Sequence, residues 1–238
     1  MKFQFTYTAL REQFKIALEH GYSVLTCADF VQSKGAGTLP AKTLVNRVDI
    51  DYSVKKAERI GQIMDSLDIK ASFFVRLHAH EYNPFSFENY RIIKGLIQSG
   101  HEVGYHAEIV DEAAIWGEPA ADCLQRDIDV FNRIFNIKMQ GVASHGGMTG
   151  LNNLDFWEDR DPSEFGLLYE AYDRRPENDL FRSSRYVSDS EWTRWKSYEN
   201  GQLLDGDHRS IAEHLLDNPS IVYTLIHSDT YYDKHFYE

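Results

Sequence analysis

Two hydrophobic rhythms alternate along the chain. From residue 43 onward, short apolar runs recur at 43–51, 70–77, 102–108, 139–145, 166–172, 182–187 and 221–227. Their length and near-continuous apolar character predict strands buried on both faces, as in a parallel sheet. Between them the spacing changes to that of helices. Ala57, Ile60, Ile63, Met64 and Leu67 mark one helix, Ile92, Ile93, Leu96 and Ile97 a second that stops at Gly100, and residues 120–135 a third. Ahead of this region, Leu10, Phe14, Ile16, Ala17 and Leu18 predict a helix closed by Gly21, then a strand at 22–26 and a loop at Gly35-Ala36-Gly37. Seven strands with intervening crossovers predict an α/β fold, a distorted seven-stranded (β/α) barrel, with the last two crossovers less regular. A single domain over 1–238 is expected, its first 40 residues packing on the barrel. Neither a dinucleotide fingerprint nor a phosphate-binding loop follows the first strand.

Composition narrows the function classes. The chain has 238 residues, 42% hydrophobic and 13% aromatic, enough for a sizeable core, and a net charge of −12. That field repels phosphate backbones and anionic lipid heads, which argues against nucleic-acid or membrane-surface partners. The two cysteines, Cys27 and Cys123, lack zinc-finger spacing and read as small buried hydrophobes. No apolar stretch is long enough for a signal peptide or a membrane span, so a cytoplasmic location is expected.

In (β/α) barrels the chemistry sits at the carboxyl ends of the strands. Here those ends carry Asp49-Ile50-Asp51, His106-Ala107-Glu108, Ser144-His145-Gly146 and His227-Ser228-Asp229. Residues two apart on a strand point the same way, so Asp49 with Asp51, and His106 with Glu108, can face one centre. Carboxylates and imidazoles converging from several strands suit a divalent metal, with groups to spare for proton transfer. A paired aspartate can also simply cap the next helix, as Asp51-Tyr52-Ser53 would here.

The blocks Arg47-Val48-Asp49-Ile50-Asp51, Ala71-Ser72-Phe73-Phe74-Val75 and Gly100-His101-Glu102-Val103-Gly104-Tyr105-His106 resemble the polysaccharide deacetylase superfamily, carbohydrate esterase family 4 with the NodB-homology fold. The closer resemblance is to a divergent branch linked to surface-polysaccharide biosynthesis. It extends to Ser144-His145-Gly146, Tyr186-Val187-Ser188-Asp189-Ser190 and Leu225-Ile226-His227. The resemblance implies metal-dependent removal of an acyl group, acetyl above all, from an N- or O-acylated sugar, an amide-hydrolase activity. It implies Asp49 as general base, His227 as general acid, and Asp51 and His106 as ligands of zinc, or of nickel, cobalt or manganese. The second metal histidine of the family would stand at position 110, which is Val110; His145 or Glu108 then completes the set.

For the substrate, Arg76, Arg185, Asp189 and Trp192 are candidate contacts. The two arginines would meet an anionic group, or else partner an internal carboxylate such as Glu170. Trp192 would stack on a sugar ring, although tryptophans three apart, Trp192 and Trp195, are more often core. His101 reads as structural, Glu102 as a loop contact or ion pair, His208 and His214 as surface residues. His78 and His80 stand in a polar loop at a spacing metals do use. Two alternatives stand beside the deacetylase. One is a catalytically silent barrel acting as a carbohydrate-binding or assembly component. The other is a metal-free glycosidase, whose two carboxyl groups would lie about 5–5.5 Å or ~6.5–9.5 Å apart.

Overall fold

The strand that carries the Asp-x-Asp motif is the axis on which the computed structural model is built; residues 4–172, 175 and 179–234 are described. In chain order the elements are α1 (Tyr7–Glu19), β1 (Ser23–Leu25), α2 (Cys27–Gly35), β2 (Thr43–Ile50), α3 (Val54–Ser66), β3 (Ser72–Val75), α4 (Phe87–Gln98), β4 (Glu102–Ala107), α5 (Ile109–Trp116), α6 (Ala120–Phe135), β5 (Gly141–Ser144), β6 (Tyr169–Glu170), α7 (Leu180–Ser183), β7 (Arg185–Ser188), β8 (Lys196–Glu199), β9 (Gln202–Leu203), α8 (Ile211–Leu215) and β10 (Ile221–His227). Strand order is β6-β5-β4-β3-β2-β10-β7-β8-β9. The run from β6 to β7 is parallel throughout and consists of the seven strands expected from the apolar runs. β1 pairs with the first half of β2, along the edge that β3 takes over from Arg47 onward.

The distorted α/β barrel is therefore the observed fold, and its distortion is localised. Among the described residues no backbone pairing joins β6 to β7; the free edge of β7 is covered instead by antiparallel β8 and β9. Side chains close the seam: the Tyr172 and Tyr186 hydroxyls lie 3.2 Å apart, and the Tyr223 hydroxyl reaches across the interior to the Ala171 carbonyl at 3.1 Å.

Alternation on the strands divides the core in two. Outward residues such as Val48, Ile50, Phe73, Val75, Val103 and Tyr105 pack under the helices, while Val45, Phe74, Ala143, Tyr169, Ala171, Tyr186, Tyr223 and Leu225 fill the interior. Gly141 makes room for Tyr169, whose ring lies 2.1 Å from where a Cβ would stand. Helix α2 closes the amino end of the barrel. The sequence pattern does not predict this helix, because its apolar stripe of Cys27, Ala28, Phe30 and Val31 spans barely more than one turn; only Gly35, its last residue, falls in the expected loop. Its first amides are satisfied from inside: Cys27 N–H donates to Ser72 Oγ and Ala28 N–H to Glu102 Oε2. Glu102 is thus an interior carboxylate, not a loop contact; it also accepts from the Tyr169 hydroxyl, and burial pushes its pKa up. α5 was likewise not expected, nor were the short strands β8 and β9. The segment after Trp192, whose tryptophan spacing suggested a helix, is a turn leading into β8.

One layer above Glu102 sits Arg47, fully buried and bonded through Nε and Nη2 to both oxygens of Asp49, at 2.8 and 2.7 Å. Its guanidinium lies 4.7 Å from the Tyr172 ring centroid. Arg47→Met, which strands Asp49 as an unpaired buried charge, is expected to cost about 3–5 kcal/mol in urea denaturation. The double change Arg47→Met with Asp49→Leu should recover most of that loss.

Two histidines read as structural or superficial are buried. His101 Nδ1 accepts from Ala71 N–H at 3.3 Å, and His214 Nδ1 accepts from Arg185 Nη1 at 2.9 Å. Burial holds both imidazoles down to about 4. The unfolded chain then binds protons between about 6.5 and 4 that the fold refuses, so stability is full above pH 6.5 and falls as the pH drops towards 4. Each histidine should contribute a loss of up to ~3 kcal/mol. His214→Gln is expected to flatten this acid limb in denaturation curves taken at stepped pH.

Candidate active site and metal centre

At the carboxyl end of the barrel a cleft of about 430 Å³ opens, with Asp49, Asp51, His106, His145 and His227 on one side and Tyr172, Phe181, Tyr186 and Tyr198 on the other. Four strand ends supply the five titratable groups. β2 leads into Asp51, which is free to face inward because Ser53 Oγ, not the aspartate, caps α3. His106 comes from β4, His145 follows β5, and His227 ends β10 in register with Asp49.

Ligand atoms of Asp51, His106 and His145 lie within 4.8 Å of one another. His106 Nδ1 donates to the Ala143 carbonyl at 2.8 Å, which turns Nε2 towards the carboxylates, 3.2 Å from Asp49 Oδ2 and 3.4 Å from Asp51 Oδ1. The two imidazole rings of His106 and His145 meet edge to face at 4.9 Å. Asp51 Oδ1 and His145 Nδ1 are buried and carry no hydrogen bond. Unpartnered buried polar atoms are costly, and two of them on residues of one such cluster fit a site for a cation. The chemistry of the set, one carboxylate and two imidazoles, suits zinc or a similar borderline ion.

Electrostatics agrees. Burial pushes Asp49 and Asp51 up, but Arg47 with the histidines beside Asp49, and His106, His227 and His145 beside Asp51, outweigh it and hold both carboxyls below their ordinary range. Burial pulls His106 down, yet Asp49 and Asp51 together raise it. His145 is driven down to about 4 by burial, then by His106 and Arg76, which leaves a neutral imidazole with a lone pair to give. Across the cleft, His227 Nδ1 lies 2.6 Å from Asp189 Oδ1, and its Nε2 lies 3.9 Å from Asp51 Oδ2. Burial lowers it, but the Asp189 charge prevails and raises it to about 9.

The remaining sequence-predicted residues separate. Glu108 does not offer both oxygens: Oε1 accepts from Arg76 Nε and Nη2 at 3.2 and 2.8 Å, and His145 Nδ1 stands 3.5 Å from that same oxygen. Arg76 also donates to the Asp51 carbonyl at 3.1 Å. Only 3% exposed, it is a strut behind the ligands and does not line the cleft. Arg185 begins β7 at the opposite end of the barrel, bonded to His214, Asp217 and Glu199, so the structure does not bring it to the site. In both cases a buried guanidinium found internal partners, though not Glu170. Asp189 is fully buried and accepts from the His227 backbone amide and ring, with the Tyr231 side chain beside it. Trp192 is 42% exposed and stacks on the His227 ring at 5.9 Å, with Tyr52 at 5.7 Å on its other side, whereas Trp195 is core. Val110 packs against the outer core beneath α5.

Sequence reasoning passed over the aromatic side of the cleft, while Arg47, expected to brace the first strand, does so through Asp49. Arg47 shares the strand parity of Asp49 and Asp51, a signal that it faces inward. Nothing local in the sequence signals that Tyr172, Phe181, Tyr186 and Tyr198 meet, since they come from both sides of the open seam.

No protein-family model matches the chain, and no curated protein does. Among solved structures it is similar to the Streptococcus pyogenes deacetylase PplD in complex with acetate, at 16% identity and TM-score 0.46, over 59% of this chain and 62% of that one. It is also similar to a mutant of BA3943, a CE4-family pseudoenzyme with restored enzymatic activity, at 15% identity and TM-score 0.46, over 81% of this chain and 60% of that one. The match thus spans about three fifths of the length of each of these structures.

Proposed function

We propose that the protein is a metal-dependent hydrolase that removes an acyl group, acetyl in the first instance, from an N- or O-acylated sugar. The observation that carries this reading is the convergence of Asp51, His106 and His145, with unpaired buried donor atoms, beside a separately charged His227–Asp189 pair. Asp51, His106 and His145 would hold the ion. A divalent cation bound there supplies Lewis acidity towards an acyl oxygen and towards water. Asp49 is ionised at neutral pH and can accept a proton; Arg47 fixes its orientation and makes it a mild base. His227 holds a proton at neutral pH, so its Nε2 can protonate a departing amine while Asp189 steadies the imidazolium. Tyr172, Tyr186 and Tyr198 of the far wall offer aromatic surface to a sugar ring. The metal-free glycosidase gains nothing from this arrangement, because Arg47 already claims both oxygens of Asp49.

That same claim favours a second reading, a silent barrel that binds a sugar without turning it over. Acetate release from a panel of N- and O-acetylated sugars, monomeric, nucleotide-linked and polymeric, separates the two; binding without release would favour the silent barrel.

Elemental analysis of chelator-free protein is expected to find a divalent metal whose stoichiometry falls by one equivalent in Asp51→Asn and His106→Ala and is unchanged in Asp49→Asn. An unchanged stoichiometry in the first two variants would dismiss this ligand set. Turnover in Asp49→Asn should fall by about 10²–10⁴-fold.

His227→Ala is expected to impair amide substrates far more than activated esters, whose leaving groups need little protonation. With wild-type protein, amide turnover should decline as the pH rises through about 9, where His227 loses its proton. Asp189→Asn should move that limb to lower pH. Equal losses on both substrate types would remove the acid role.

A further inference from the structure

Outside the cleft, α5, α6 and the loop after β3 bring a second set of donors together. His78 Nε2 lies 2.8 Å from Asp127 Oδ2 and 3.5 Å from Glu112 Oε2. One donor atom from each residue falls within a 4.8 Å cluster. Glu112 and Asp127 are only 4% and 5% exposed, whereas the His78 side chain is 39% exposed. Carboxylates that deep need compensation: His78 lies against both, the Tyr105 side chain lies against Asp127, and Arg126 gives Nη2 to Glu112 Oε1 at 2.5 Å and Nη1 to the more exposed Glu118 Oε2 at 2.6 Å. The other oxygen of Glu112, Oε2, is buried and has no hydrogen bond. Leaving such an atom unpaired costs about 1–3 kcal/mol, more for a charged group.

We propose that His78, Glu112 and Asp127 form a second divalent-cation site, distinct from the cleft, that binds a borderline ion such as zinc or cobalt through one imidazole nitrogen and two carboxylates. Three protein ligands of this kind satisfy zinc with a further position left for water, and the exposure of His78 provides it. The bond between Arg126 and Glu112 Oε1 holds the carboxylate so that Oε2 faces the imidazole, the outer support that metal ligands ordinarily have. An ion here ties α5 and α6 to the loop after β3. The same packing reaches β4, because the Tyr105 side chain is in contact with Asp127 while its neighbour His106 points into the barrel. The site is therefore a clamp on the outside of the strand that carries a cleft ligand.

The test is cobalt or zinc titration of the full chain, with bound metal counted after gel filtration. In the variant Asp51→Asn with His145→Ala, which disables the cleft cluster, one equivalent is expected to remain. His78→Asn in that background should remove it, and Glu112→Gln should weaken it at least tenfold. Circular dichroism confirms that each variant is folded. Failure of the cleft reading would look different: wild-type protein would hold one ion, lost in His78→Asn. The proposal is overturned if the cleft-disabled variant binds no metal, or if His78→Asn leaves the stoichiometry unchanged. It is also overturned if the melting temperature of the cleft-disabled variant does not respond to zinc, which would leave an ion pair only.

Discussion

The buried pair between Arg47 and Asp49 is the interaction on which the upper half of the barrel depends. Without a guanidinium in the interior, a layer holding Asp49, Asp51, His106, His145 and His227 would place carboxylates in a space from which water is largely excluded, and they would protonate instead. Arg47 holds Asp49 below its ordinary range, and the two carboxylates in turn raise His106. Tyr172 stacks over the same guanidinium, and Tyr223 supplies a hydroxyl to it, so the barrel's open seam and its charged layer are held by one side chain.

From that pair the interior reads as three levels. At the amino end, Glu102, Ser72 and Tyr169 receive the start of α2 and seal the barrel. In the middle, Phe74, Ala143, Ala171 and Tyr186 form a dry layer around Arg47. At the carboxyl end, the imidazoles and carboxylates face an aromatic wall. The cleft is thus lined by titratable groups and by aromatic rings. The stiffness of this arrangement comes from behind: Arg76 and Glu108 brace the Asp51 backbone and the His145 ring without touching the cleft.

The seam between β6 and β7 is both the flaw in the barrel and the source of its cleft. A closed eighth position would fill that side with another strand and helix. Here the gap is bridged by Tyr172 and Tyr186, and the cleft lies between them and the candidate ligands Asp51, His106 and His145.

Much of this was legible in the chain. Seven apolar runs became seven parallel strands because continuous burial on both faces is a property of the local sequence, and the 3.6-residue rhythm of α3, α4 and α6 is equally local. Strand parity alone set Asp49 and Asp51 on one face and His106 on another facing it. What only the tertiary structure decided concerns partners far apart in the chain. Short elements such as α2 and α5 have too few apolar positions to declare themselves, and their helices are held by what they cover. Arg76 and Arg185 looked alike as arginines at strand candidates; one became a strut beneath the metal cluster and the other a contact at the opposite end, because strand direction and neighbouring acids, not residue type, set their roles. His214 read as a surface residue and is buried, since a half-apolar imidazole goes where a donor such as Arg185 meets it. Local sequence carries the periodicity that makes strands and helices; which buried charges meet depends on strand order and register, and these are settled only when the whole sheet closes.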